Sequence, residues 1–384
     1  MRKSLSVTVS ANASASTNCN AVSRSNSSID SESPGYPGRG FLRLAFLWFT
    51  TSVVLAATPS PAAAPAPAQV FGFPTANRAL LDPAKQDAFF VGTAGKTWVS
   101  GTYGCVRSEG WQLHEGLDIR CLERDRRGEP TDKVLCSADG TVAYISRNAA
   151  LSNYGKYVVV RHAVEGLEVF TLYAHLAEVR GDLVPGSPLR AGEQLGLMGR
   201  TSNTHQRITK DRAHVHFEVD LLVNDRYAQW HKTSQAGERN DHGNWNGHNL
   251  LGADPAMVLR EQARLGPSFS LLRVIQNQNE LCRVFVRARG FPWIRRYARL
   301  VVPNPKIEKE GLAGYEISLN FSGLPYKLIP RTPAEAPPGG TFVLLSVNEA
   351  EQKANPCRRI VTHKGSQWEL GPRGRELLEL LVYH

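Results

Sequence analysis

The sequence predicts a mainly β protein, and three features carry that expectation. Between about residues 90 and 220, short runs rich in Val, Tyr, Phe and Thr are separated by Gly, Asn and Pro. No long 3.6-residue apolar period interrupts them, so an antiparallel β-rich domain is expected. His214-Val215-His216-Phe217-Glu218-Val219 alternates with a period of two, which puts both imidazoles on one face of a strand.

The 384 residues allow two or three domains, and 42% hydrophobic content is enough for ordinary cores. Residues 1–38 are rich in Ser, Asn and Ala with few bulky apolar side chains, so they read as a disordered leader or an early-assigned start. Residues 39–57 place Arg39 and Arg43 before an apolar run from Leu44 to Ala57 and a small-residue exit. That order reads as a secretory signal cleaved at or just after Ala56, with an uncleaved anchor as the alternative and the only route to a membrane. Residues 58–70 form a Pro/Ala-rich linker. The expected location is outside the cytoplasm: periplasm, cell envelope or extracellular space.

Residues 71–266 hold the candidate site. His114 and Asp118 stand four residues apart and share a parity if extended, and His175 ends another strand-like run. A catalytic zinc takes three protein ligands and keeps one position open. His114, Asp118 and one histidine of the His214/His216 pair fill that quota, leaving His175 for another role. Glu115 and Glu218 are read by strand parity as facing away from their neighbours, in core-edge or solvent positions. His162 and His205 have no partner spacing and read as surface or satisfied core groups; Tyr173 reads as packing.

These motifs resemble the lysostaphin/LytM-type zinc endopeptidases over about residues 95–225. The resemblance runs in order through His114 to Asp118, Ala138 to Val142, Tyr157 to His162, Tyr173 to Leu176, Gly192 to Gly196 with Gly199, and His214 to Val219. It implies β-sheets forming a narrow groove with one zinc ion on its floor. It further implies metal ligands His114, Asp118 and His216, and catalytic residues His175 and His214, without deciding which histidine is the base. The implied substrates are peptidoglycan stem peptides or cross-bridges.

The cysteines fit export. Without Cys19, five remain, an odd number; Cys105 with Cys121 is expected to close a loop around the ligands, and Cys282 with Cys357 to staple the last domain. The approach to the paired histidines, Thr201 to Ala213, is longer and more basic than the family pattern. Arg207, Lys210 and Arg212 are its candidates for meeting a substrate carboxylate, against simple solvated charge. Residues 220–250, with Tyr227, Trp230, His231, His242, Trp245 and His248, read as a groove-flanking loop without chemistry of its own.

Asp254 as cap, Pro255 at the first helical position and Gly266-Pro267 as a stop predict a helix and a boundary. Residues 267–384 read as a small β-rich or α+β C-terminal domain with strands near 280–289, 315–321 and 341–347 and a helix from about Pro372 to Val382. They carry 17 Lys and Arg against 10 Asp and Glu, the largest share of the total net charge of +10. A basic module on an exported protein is suited to anionic envelope polymer. Nucleic acid is excluded as a partner by export and by the lack of any nucleic-acid motif. Two further functional classes stand beside the peptidase: a non-catalytic wall-binding or amidase-activating relative, and a wall protein with a structural zinc.

Overall fold

The strand carrying the paired histidines is the hub of the main sheet. The computed structural model describes residues 70–204 and 208–384. The expectations for the leader, the signal, nearly all of the linker, His205 and Arg207 lie outside the described residues. The main strands, in chain order, are β1 (Gly104–Arg107), β2 (Gln112–His114), β3 (Leu117–Arg120), β4 (Gly140–Ser146), β5 (Tyr157–Val164), β6 (Leu167–Ala174), β7 (Pro188–Leu189), β8 (His214–Leu222) and β9 (Leu250–Gly252). Strands β9-β8-β6-β5-β4-β7 form one sheet, and β3 pairs with β8 as its seventh strand. Every pairing in it is antiparallel.

Alternation along β8 divides its work between two faces. Val215, Phe217, Val219 and Leu221 point into the main core, while His214, His216, Glu218 and Asp220 take the other face, also buried. The second face of β5 and β6 holds its own cluster of Tyr157, Val159, Phe170 and Leu172, covered by Tyr144 and Trp245. The sheet is therefore buried on both sides, and the site lies at the end of its second face.

Helix α1 (Tyr227–Ser234) follows β8, and helix α2 (Pro255–Leu265) starts where the sequence predicts: Asp254 accepts from the Ala256 N–H and proline takes the first turn. Residues 267–384 build a second antiparallel sheet from β10 (Cys282–Val286), β11 (Gly314–Leu319), β12 (Pro325–Arg331) and β13 (Phe342–Val347), in the order β12-β11-β10-β13. Helix α3 (Pro372–Val382) closes this part with its leucines buried. A single apolar cluster runs from Phe71 through the first sheet to Leu381. Asn224 Nδ2 donates to the carbonyls of Leu380 and Tyr383, and the Leu222 N–H donates to Tyr297 Oη, which stitches the two sheets' regions together. Among the described residues, no helix is long and apolar enough to cross a membrane.

The disulfide expectation is corrected. Cys105 pairs with Cys357, 252 residues away with Cα atoms 5.4 Å apart, while Cys121, Cys136 and Cys282 are free and buried. Cys121 follows β3 and Cys282 starts β10, one of the two inner strands of the second sheet, and both thiols are packed in the apolar core. Pairing needs Cα atoms within about 7 Å, and the fold decides which cysteines meet that limit.

His162 is a satisfied core histidine. Its Nδ1–H donates to Asp139 O at 2.9 Å, and Nε2 lies 2.7 Å from Thr171 Oγ1. Burial lowers its pKa from 6.5 to about 4. The unfolded chain then binds a proton near pH 6.5 that the native chain refuses until about 4, so stability falls as pH drops through that window. Unfolding free energies from urea titrations at pH 7 and pH 4 should differ by roughly 3 kcal/mol more in the native chain than in His162→Gln. Equal pH slopes in the two proteins would remove this assignment.

Candidate metal centre and active site

Cross-strand register assembles the site. Antiparallel β3 and β8 set Asp118 directly opposite His216, and on the other side of β8 His216 faces Ala174, the residue before His175. Antiparallel β1 and β2 bring His114 beside Gly104, so that its Nδ1–H donates to Thr102 O at 2.7 Å. Gly116 permits this approach, because a Cβ there would collide with Phe217 O and crowd the His216 ring.

Three donor atoms converge. His114 Nε2 lies 3.0 Å from His216 Nδ1, and each lies 3.1 Å from Asp118 Oδ1; all three residues are buried. Tetrahedral coordination at zinc-type bond lengths separates donors by about 3.3 Å, close to these spacings. The remaining ring nitrogens are committed elsewhere: His114 Nδ1 to Thr102 O, and His216 Nε2 to Glu218 Oε1 at 2.6 Å. Each ring therefore points its other nitrogen at one shared point. The donor set fits a divalent metal on that ground.

Electrostatics agree. Burial pushes the Asp118 carboxyl up, but His214 and His114 outweigh it and hold the group well below the usual carboxylate range. Burial opposes charge on His216, yet hydrogen bonds to Asp118 and Glu218 raise its pKa to about 10. Two buried carboxylates flanking one imidazole demand positive charge, which a metal ion can supply in exchange for the Nδ1 proton. Arg107 adds a further cation, donating to Asp118 Oδ2 at 2.5 Å and reaching His114 Nε2 at 3.0 Å.

His175 and His214 stand beside the donors without joining them. The His214 Nδ1–H donates to Arg212 O at 2.6 Å, which leaves Nε2 3.4 Å from Asp118 Oδ1. The His175 Nδ1–H donates to Thr201 O at 2.9 Å, and its ring meets that of His214 edge-on at 4.8 Å. Burial, the largest cause in each, lowers both pKa values and outweighs the opposing pull of Asp118, so both rings are neutral near pH 7. His175 has a φ of +62°, a left-handed conformation that costs a non-glycine residue energy and recurs at functional sites.

The structure corrects the reading of Glu218. It lies two residues from His216 and so shares its face; it is buried, bonded to His216 Nε2 and to Tyr154 Oη at 2.9 Å. The period of two could have found it, had parity been counted from His216 rather than from Phe217. Such a carboxylate fixes the tautomer of a ligand histidine. Glu218→Gln should weaken zinc affinity about 10–100-fold with little change in fold, as measured by competition against a chromophoric chelator. Unchanged affinity would make Glu218 a packing residue.

A cleft of about 740 Å³ opens over these groups, walled in part by Tyr154, Arg212, His242 and His248. Of the three candidate cations in the approach loop, Arg212 lines this cleft and Lys210 turns away to pair with Glu129 at 3.3 Å. Trp230 is buried and Trp245 packs on Phe170, so these aromatic residues of 220–250 tether their segment, His231 packs on Tyr227, and His242, His248 and Asn246 line the cleft. Among the described residues, His242 and His248 belong to no metal-ligand group.

Residues 112–229 match the family model described as Peptidase family M23. Solved structures give partial likenesses. A protein assigned as the glycyl-glycine endopeptidase LytM of Ruminococcus gnavus is 26% identical over 28% of this chain and 39% of its own, with a TM-score of 0.23. The catalytic domain of lysostaphin from Staphylococcus simulans is 16% identical over 42% and 87%, with a TM-score of 0.26. The M23 protein EnpA of Enterococcus faecalis is 19% identical over 31% and 75%, with a TM-score of 0.24. The match thus spans well under half of the Ruminococcus protein's length. No curated protein matches the chain. The segment that matches the peptidase family M23 model therefore contains the two-histidine strand and the carboxylate paired with it, and the chain resembles that family over this segment.

Proposed function

We propose that this chain is an exported zinc-dependent endopeptidase that hydrolyses peptide bonds in peptidoglycan stem peptides or cross-bridges. The observation that carries the reading is the division of five residues at one cleft: three convergent donors, His114, Asp118 and His216, and two histidines, His175 and His214, left outside the donor set. A zinc ion, when bound, lowers the pKa of water and polarises the scissile carbonyl. The chain's own part is proton handling and orientation. One of His175 and His214 takes the proton from the attacking water on its bare Nε2 and returns it to the leaving amine; the other can donate to the oxygen that gains charge only in its protonated form, once its own Nε2 has taken up a proton. Thr201 O and Arg212 O hold the two rings by their Nδ1–H groups, so each presents Nε2 to the cleft.

Export is supported by the charge, apolar run and small-residue order of residues 39–57, and by the Cys105–Cys357 disulfide, which suits an oxidising compartment. The basic C-terminal residues add a salt-sensitive attraction to anionic envelope polymer.

The test is release of new amino groups from purified peptidoglycan by the full-length chain, with and without a chelator. Activity abolished by the chelator and restored by zinc is expected, and mass spectrometry of the fragments then identifies the bond. No release from walls of several chemotypes, with one zinc bound per chain, would overturn the reading in favour of a docking or activating role.

A further inference from the structure

The catalytic cleft does not end at the residues of the peptidase domain. Gln112, Leu113, Glu115 and His248 line it and also line a second hollow of about 270 Å³, so the two adjoin across these residues. The far side of this second hollow is made by Trp111 and by Arg358, Arg359 and Arg373 from the C-terminal region. We propose that this hollow is an additional substrate subsite that binds free carboxylates of the peptide being cut, with Arg358 and Arg359 as its specificity-determining residues.

Four observations converge. First, the charge is uncommitted: Arg373 pairs with Glu376 at 2.8 Å, but neither Arg358 nor Arg359 has a carboxylate partner among the described residues. Glu115, at the junction with the main cleft, is the one acidic residue lining the hollow. Second, the arginines are anchored. Cys357 is bonded to Cys105 at the start of β1, the strand whose other end carries Arg107 against Asp118, so the loop is fixed relative to the metal donors. Third, Arg359 has a φ of +53°, a strained conformation for a side chain with a Cβ, in a segment held by the disulfide before it and by the Gly371 N–H donating to Ile360 O after it. Fourth, Trp111 is 59% exposed with the Arg359 guanidinium over its ring at 5.9 Å, an apolar wall beside the cations.

Guanidinium groups match carboxylates with paired N–H donors, and stem peptides carry free carboxylates. A peptide in the main cleft running past Glu115 brings such a group to Arg358 and Arg359. The C-terminal region is then part of the substrate site rather than a remote anchor. This inference rests on the peptidase reading.

The experiment is a cycle with two enzymes and two substrates: the full-length chain and Arg358→Gln/Arg359→Gln, each on cross-linked muropeptides with their carboxylates free or converted to amides. On the acidic substrate the variant should show KM raised about five- to tenfold with kcat unchanged; on the amidated substrate the two enzymes should agree. Arg358→Lys/Arg359→Lys, which keeps the charge but gives up the paired donors, should recover part of the loss and so separates a charge effect from a misfolded loop. The same KM ratio for both enzymes on both substrates, or a loss that the lysine variant does not recover, overturns the proposal. If the unaltered chain cuts neither substrate, the peptidase reading has failed. Calorimetric binding of the same two muropeptides then decides the subsite: affinity that falls on amidation for the unaltered chain and not for the variant supports it, and equal affinities overturn it.

Discussion

Replacing His214 with alanine should lower kcat on peptidoglycan about 10²–10⁴-fold, the usual worth of a positioned proton-transfer group, while the chain still binds one zinc. The two effects separate because of geometry. His214 Nε2 lies 3.4 Å from Asp118 Oδ1 but outside the group formed by His114, Asp118 and His216, so its loss leaves all three donors in place. Neighbours on β8 hold the strand regardless, since Val215 and Phe217 are fully buried on the opposite face. Single-turnover rates on defined muropeptides, with zinc counted by atomic absorption, give both quantities from one preparation. Loss of zinc together with rate would show that His214 is a ligand and that the division of roles is wrong.

Asp118→Asn should weaken zinc affinity on the order of a thousandfold, an apportionment of the roughly 10–16 kcal/mol seen for whole zinc sites among three ligands. Asp118 is the sole anionic donor, and it is buried between His114, His214, His216 and Arg107. The amide keeps the shape but removes the charge that offsets a divalent ion. Thermal unfolding with and without zinc checks this directly. Ligand present at 100 times its dissociation constant stabilises the native chain by about 2.7 kcal/mol, and the variant should lose most of that gain. An undiminished zinc-dependent shift in Tm would place the metal elsewhere.

Four of the residues brought together at the cleft were legible as candidates from local pattern, while the division between metal ligands and catalytic histidines came only from the family resemblance. A period of two sufficed to put His214 and His216 on one face, and the four-residue spacing brought His114 and Asp118 to one side of a bend. Helices α2 and α3 were equally legible, because a cap residue, a proline in the first turn and an apolar stripe all act within one or two turns. Glu218 lay within reach of the same period and was misplaced only by counting parity from the wrong neighbour.

What the local pattern does not contain is which strand lies beside which. That Asp118 faces His216 across β3 and β8 depends on residues 98 positions apart in sequence, and Cys105 finds Cys357 across 252. Alternation, caps and turn residues act over a few residues, where backbone geometry alone fixes direction. Register and disulfide partners depend on how whole sheets pack, a sum of many weak apolar contacts. The sequence by itself therefore determined the chemistry available to this protein: three imidazole and carboxylate donors, two further histidines and a surplus of arginine. Only the tertiary structure decided which nitrogen of each ring faces the shared point, and that the C-terminal arginines line a hollow adjoining the cleft, because packing distances between remote segments set both.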